Sequence, residues 1–171
     1  MIILISGTTH TGKTVLSQRL MEKYKVPYFS IDLLKMGLIR SGKTELTVND
    51  DKELTPFIWP IVKEMIKTAI ENGQNMIIEG CYIPFDWQND FNASYSADIR
   101  FYCIVMSAEY IENNYADILK YENTIEKRII TGSINKNDLI KDNMKNLQLC
   151  KEYGLNYILI DKEYKINIEL W

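Results

Sequence analysis

The chain has 171 residues, 46% of them hydrophobic and 25% charged, enough for one substantial core and too few for two comfortable domains. A net charge of -3 and a pI near 5.3 speak against a broad basic surface, so any phosphate site must be local and no nucleic-acid partner is expected. No apolar run approaches bilayer length, the first residues lack a charged signal-peptide start, and Cys81, Cys103 and Cys150 show no metal or disulfide spacing; a cytoplasmic protein with reduced thiols and no membrane partner is expected.

The first element is an apolar run, Ile2 to Ile5, which leads into Gly7-Thr8-Thr9-His10-Thr11-Gly12-Lys13-Thr14. This is G-x-x-x-x-G-K-T, and the stretch after it, Val15 to Tyr24, is helix-like, so a phosphate-binding P-loop stands in its proper context. The glycines let the chain turn tightly with backbone N–H groups inward, Lys13 supplies a cation for the outer phosphates, and the Thr14 hydroxyl can ligate magnesium. A nucleoside triphosphate is the implied ligand. The variable positions Thr8, Thr9, His10 and Thr11 contribute backbone, and His10, the sole histidine, is read as a peripheral contact.

A second apolar run, Val26 to Ile31, ends at Asp32, which can cap a helix through Leu33, Leu34, Met36 and Ile39 that stops before Ser41-Gly42. Ser41 to Lys52 is polar and without periodicity. Thr55-Pro56 suggests the next helix start, with Ile58, Val62, Met65, Ile66, Ala69 and Ile70 as its buried stripe and Gly73 as its end. Pro60 implies that this helix either kinks there or begins near Trp59. Met76 to Ile78 is a third strand, left through Glu79-Gly80, and Cys81 is read as a buried small residue.

Arg100 to Met106 is a fourth strand, and Ala108 to Ile130 is helix-like with a break near Tyr121, before a turn at Thr131-Gly132-Ser133. A last helix opens at Asn137 or Asp138, presents Ile140, Met144, Leu147 and Cys150 on one face, and closes at Gly154. Tyr157 to Ile160 is the fifth strand, and Glu163 to Trp171 is a candidate sixth. The alternation of strands and helices indicates an α/β fold with a buried, mainly parallel sheet.

Ligands of open parallel sheets bind outside the carboxyl ends of the strands. The residues leaving the runs are Ser6-Gly7, Ser30 to Asp32, Glu79-Gly80, Ser107 and Asp161. Asp32 is the candidate catalytic carboxylate, because the second strand of a P-loop unit commonly delivers its exit residue opposite the terminal phosphate, where it can accept a proton or hold a metal-bound water. The competing reading is a plain helix cap. Glu79 can stand against the magnesium shell or bond a loop. Lys35 and Arg40, a turn apart, can grip an anionic acceptor, though Arg40 also suits the helix dipole. Arg128 can sit in a lid over the transferring group or on a solvated helix face. Phe57, Trp59 and Trp87 can be core or cleft wall.

These residues resemble the P-loop kinases of the adenylate kinase-like type: Gly7 to Thr14, Ser30-Ile31-Asp32 after the second strand, and Ile77-Ile78-Glu79-Gly80 after the third. The resemblance implies a three-layer P-loop NTPase fold, one domain over residues 1–171, with a five-stranded sheet whose first strand is central. It also implies a substrate-binding helical region at about 32–73 and a lid at about 115–140. The stretch Ile78-Glu79-Gly80-Cys81-Tyr82-Ile83-Pro84 is similar to that of 2-phosphoglycerate kinases. Adenylate kinases usually carry Asp-Gly-Phe-Pro-Arg there and several lid arginines, and this chain has neither, with four arginines in all. The expected function is an ATP- and magnesium-dependent transfer of the γ-phosphoryl group to a small-molecule acceptor. A nucleoside monophosphate kinase and a nucleotide-binding regulatory module of little turnover stand as alternatives, and a toxin kinase acting on a sugar nucleotide as a lesser one. Nothing in the sequence sets the oligomeric state.

Overall fold

Why the strands are apolar on both sides follows from where they lie. In the computed structural model, which describes residues 1–120 and 135–169, the runs form β1 (Ile2–Gly7), β2 (Tyr28–Ser30), β3 (Met76–Glu79), β4 (Ile99–Met106) and β5 (Tyr157–Ile160). They make one sheet in the order β2-β3-β1-β4-β5, with every pairing parallel. The first strand is central, as the resemblance implies. Alternate residues feed two cores, one on each face. Ile2, Leu4, Ile78, Phe101, Cys103 and Val105 face one, while Ile3, Ile5, Ile77, Ile104 and Met106 face the other.

Helices cover both faces: α1 (Lys13–Tyr24), α2 (Ile31–Arg40), α3 (Asp51–Glu71), α4 (Ala93–Ser96), α5 (Ala108–Lys120) and α6 (Lys136–Glu152). The first core takes Leu54, Ile58, Val62, Ile66 and Ala69 of α3, together with Trp59 and Trp87, which are therefore core residues; Phe57 packs against it half-buried. The second takes Leu16 and Leu20 of α1 and Tyr110, Ile111 and Ile118 of α5. Among the described residues no helix is long and apolar enough to cross a membrane.

Three expectations change. The third helix begins at Asp51 and runs through both Pro56 and Pro60. It survives because Lys52, Pro56 and Pro60, spaced by four, all lie on its exposed side, so the carbonyls that lose an N–H partner face water. The break expected near Tyr121 falls outside the described residues, whereas Asn114 inside α5 has non-helical backbone angles. In α6 the buried positions are Leu139, Asn143 and Cys150, and Met144 is 45% exposed; the apolar stripe is rotated by one residue to bury an asparagine. Residues 163–169 form no strand.

Replacing Pro60 with alanine should raise stability by about 1–2 kcal/mol, the helix gain less the added freedom of the unfolded chain. A urea midpoint that falls instead would show that the proline sets the course of α3.

Candidate functional site

Parallel pairing puts the ends of β1, β2 and β3 at one edge, with Ser30 in register with Glu79 and Glu79 with Ile5. The P-loop leaves β1 there and is shaped by bonds within itself. The Thr8 carbonyl accepts from Thr11 Oγ1 at 2.8 Å and from Lys13 Nζ at 2.7 Å. His10 and Gly12 take positive φ angles of 64° and 81°. Thr9 Oγ1 lies 2.8 Å from His10 Nδ1, so the histidine bonds within the loop.

Lys13 is only 7% exposed. Burial works against its charge, but Cys81, Glu79 and Asp32 more than offset that and hold the ammonium above the ordinary lysine range. Glu79 is 1% exposed, and burial pushes its carboxyl up against the pull of Lys13. Thr14 Oγ1 donates to Glu79 Oε1 at 3.2 Å. A Cβ on Gly80 would stand 2.8 Å from Ile31 Cβ, so only glycine lets the chain leave β3 this close to the head of α2. That close passage keeps Asp32 within electrostatic reach of both Lys13 and Glu79.

Asp32 is not the cap of α2. Ser30 holds that position, and Asp32 lies in the first turn. Its Oδ1 is 2.7 Å from Lys35 Nζ. Lys35 also donates to the Tyr82 hydroxyl at 3.1 Å and stands 5.0 Å from the centre of that ring. Tyr82 in turn donates to Asp51 Oδ1 at 2.7 Å. Burial and the Asp51 acceptor raise the Tyr82 pKa, so the phenol stays protonated. A chain of polar contacts thus runs from Asp32 through Lys35 and Tyr82 to the head of α3.

Gly7 to Thr14, Asp32, Lys35 and Glu79 are therefore brought together. Arg40 lies exposed at the far end of α2, and no ion pair joins it to the site among the described residues. Arg128 and most of the expected lid lie outside the described residues. Cys81 is exposed rather than buried, beside the Lys13 amine. Ser107 accepts from the Tyr110 N–H at 3.0 Å and so serves the head of α5.

Sequence reasoning missed Asp51, Tyr82 and Asn143. Asn143 is fully buried, accepts from the Met106 N–H at 2.8 Å, and donates to Thr8 Oγ1 at 3.0 Å and the Leu139 carbonyl at 2.8 Å. It ties the end of β4 to the loop. No signal in the sequence marked it, because the stripe through Ile140, Met144, Leu147 and Cys150 was apolar throughout and left Asn143 beside it.

A magnesium ion fits the donors present. Thr14 and Glu79 offer hard oxygens beside the loop, and among the described residues no group of three or more His, Cys, Asp or Glu could hold a metal unaided; magnesium typically completes its shell with water and substrate phosphates.

No family model matches the chain, and no curated protein matches it. Solved structures do. A candidate kinase from Chloroflexus aurantiacus superposes with a TM-score of 0.58 at 18% identity, covering 95% of this chain and 88% of that one. A chain of the PezAT toxin-antitoxin system of Streptococcus pneumoniae gives 0.54 at 14% identity, covering 94% and 66%. A gluconokinase from Sinorhizobium meliloti gives 0.52 at 12% identity, covering 93% and 81%. At such identities the likeness shows the fold alone, a parallel five-stranded sheet flanked by helices.

Removing the Asn143 amide should cost stability, since its partners are buried: Asn143→Ala is expected to lose about 1–3 kcal/mol in urea unfolding, and an unchanged midpoint would mean the contacts carry no weight. Glu79 has its own pH signature. Its folded pKa is raised, so its contribution to stability is present below the unfolded pKa and lost as pH rises through the folded one. The melting temperature of Glu79→Gln should therefore gain on the wild type as pH rises above the ordinary glutamate range; a constant difference would contradict the burial argument.

Proposed function

We propose that the chain is an ATP- and magnesium-dependent phosphotransferase that moves the γ-phosphoryl group to a hydroxyl of a small-molecule acceptor. The observation that carries the reading is Asp32: its carboxylate stands on the P-loop edge, close enough to act on the charges of Lys13 and Glu79, and is held by Lys35 rather than spent on a helix cap.

The amides of the loop and Lys13 hold the phosphates, and Asp32 orients the acceptor hydroxyl and takes its proton. The acceptor oxygen forms a bond to the γ-phosphorus as the bond to the ADP oxygen breaks. Thr14 and Glu79 are the residues that would hold magnesium, which when bound neutralises the charge on the phosphate oxygens. Lys35, through Tyr82 and Asp51, fixes the Asp32 carboxylate against the first turn of α3, and α2 and α3 wall the acceptor side.

Lys35 is already committed to Asp32, and Arg40 is remote. That supports a hydroxyl-bearing acceptor over a nucleoside monophosphate, whose phosphate needs uncommitted cations. The finer likeness to 2-phosphoglycerate kinases rests on two short stretches, Ile78 to Pro84 and Ser6 to Thr9.

Asp32→Asn should leave ATP affinity within about twofold while lowering turnover by about 100-fold or more, measured by calorimetry and coupled ADP production over a panel of hydroxyl acceptors and nucleoside monophosphates. Unchanged turnover removes Asp32 from the mechanism. Tight nucleotide binding with no acceptor-stimulated ADP release would favour a regulatory module, and robust activity on AMP would reverse the choice of acceptor.

A further inference from the structure

The residues after β5 form no strand, yet they are not loose. Ile166 and Ile168 pack on the second core, and Tyr164, 36% exposed, lays its hydroxyl on the loop, where it donates to the Thr11 carbonyl at 2.9 Å. Farther along, Glu169 accepts from Lys23 Nζ at 2.9 Å and from the Tyr24 hydroxyl at 2.6 Å. The segment is thus strapped along α1 from the loop to the helix's far end.

We infer that Tyr164 is a positioning residue of the phosphate cradle, a role that rests on the reading of the loop as a polyphosphate site. In a trans peptide the C=O and the following N–H point in opposite directions, so a hydroxyl that grips the Thr11 carbonyl from outside sets the Gly12 N–H toward the inside of the loop. A carbonyl engaged as an acceptor also polarises its own amide and makes that N–H a better donor to an anion. Burial, against the pull of Arg19, pushes the Tyr164 pKa up to about 12, so the donor is present at any pH near neutrality.

Gly12 shows the same fit from the other side. A Cβ there would overlap the Tyr164 hydroxyl and stand 2.9 Å from Cζ of its ring. In this chain the second glycine of the motif therefore makes room for a side chain contributed 152 residues later in the sequence, as well as supplying its positive φ of 81°.

The test compares binding of magnesium-ADP and of inorganic tripolyphosphate, which has no base, to the wild type and to Tyr164→Phe. The ring and its packing remain, so the unliganded melting temperature should stay within about 2 °C. Both ligands should bind about 3–10-fold more weakly and in parallel, the loss of one neutral hydrogen bond. Unchanged affinity for both overturns the inference, and so does a loss confined to ADP, which would make Tyr164 a base contact. Wild-type protein that binds neither ligand overturns the inference together with the P-loop reading, whereas binding without phosphotransfer overturns only the proposed reaction. Should Tyr164→Phe fail to fold, hydrogen exchange on the wild type decides. By linkage, tripolyphosphate must slow exchange across residues 161–169; no slowing overturns the inference.

Discussion

The P-loop edge of the sheet depends on holding one ammonium, Lys13, almost out of water. A lone buried cation is costly, and the fold meets that cost with the Thr8 carbonyl and with Glu79 and Asp32. Those acids come from the ends of different elements, so the P-loop, β3 and α2 have to converge on one point. Glu79 itself is held in a protein interior that raises its pKa. Opposite charges gathered in a protein interior are poor devices for stability, because desolvation consumes most of the Coulombic gain. What they provide is a fixed pattern of charge, with the Lys13 ammonium held near the carboxylates of Glu79 and Asp32 at the edge where the loop leaves β1.

Much of this was legible in the sequence because it follows from periodicity and direction. The apolar runs announced the strands, and helices between them imply parallel crossovers. Once the strands are parallel their exits share an edge, so Gly7, Asp32 and Glu79 could be placed together without knowing any contact. The small residue Gly80 was visible too, although its reason, the close approach of Ile31, exists only in three dimensions.

What was not legible depends on which side of an element meets the protein. Pro56 argued for a helix start near residue 55, and that reading left Asp51 in a loop. The helix begins at Asp51 because both prolines fall on its exposed side, and with Asp51 in the first turn the Tyr82 contact becomes possible. In α6 an apolar stripe through Met144 looked complete, yet the packed face is turned to bury Asn143, because the Met106 amide and Thr8 hydroxyl need a partner there. A hydrophobic pattern can show that a face is buried, but it carries no record of an unpaired polar group waiting on the other side.

The P-loop motif is eight residues long, and this has a consequence for how its shape is secured. A short loop whose amides all point inward must turn other polar groups outward, and those need partners of their own. Thr8 finds one in Asn143, 135 residues away, and Thr11 finds one in Tyr164, 153 residues away. Both partners belong to the last third of the chain. The entropy of closing such long loops must be met before either bond can form, so the outer supports of the cradle arrive only when α6 and the tail have docked. The motif is local in sequence, but the geometry of its loop is a property of the completed fold.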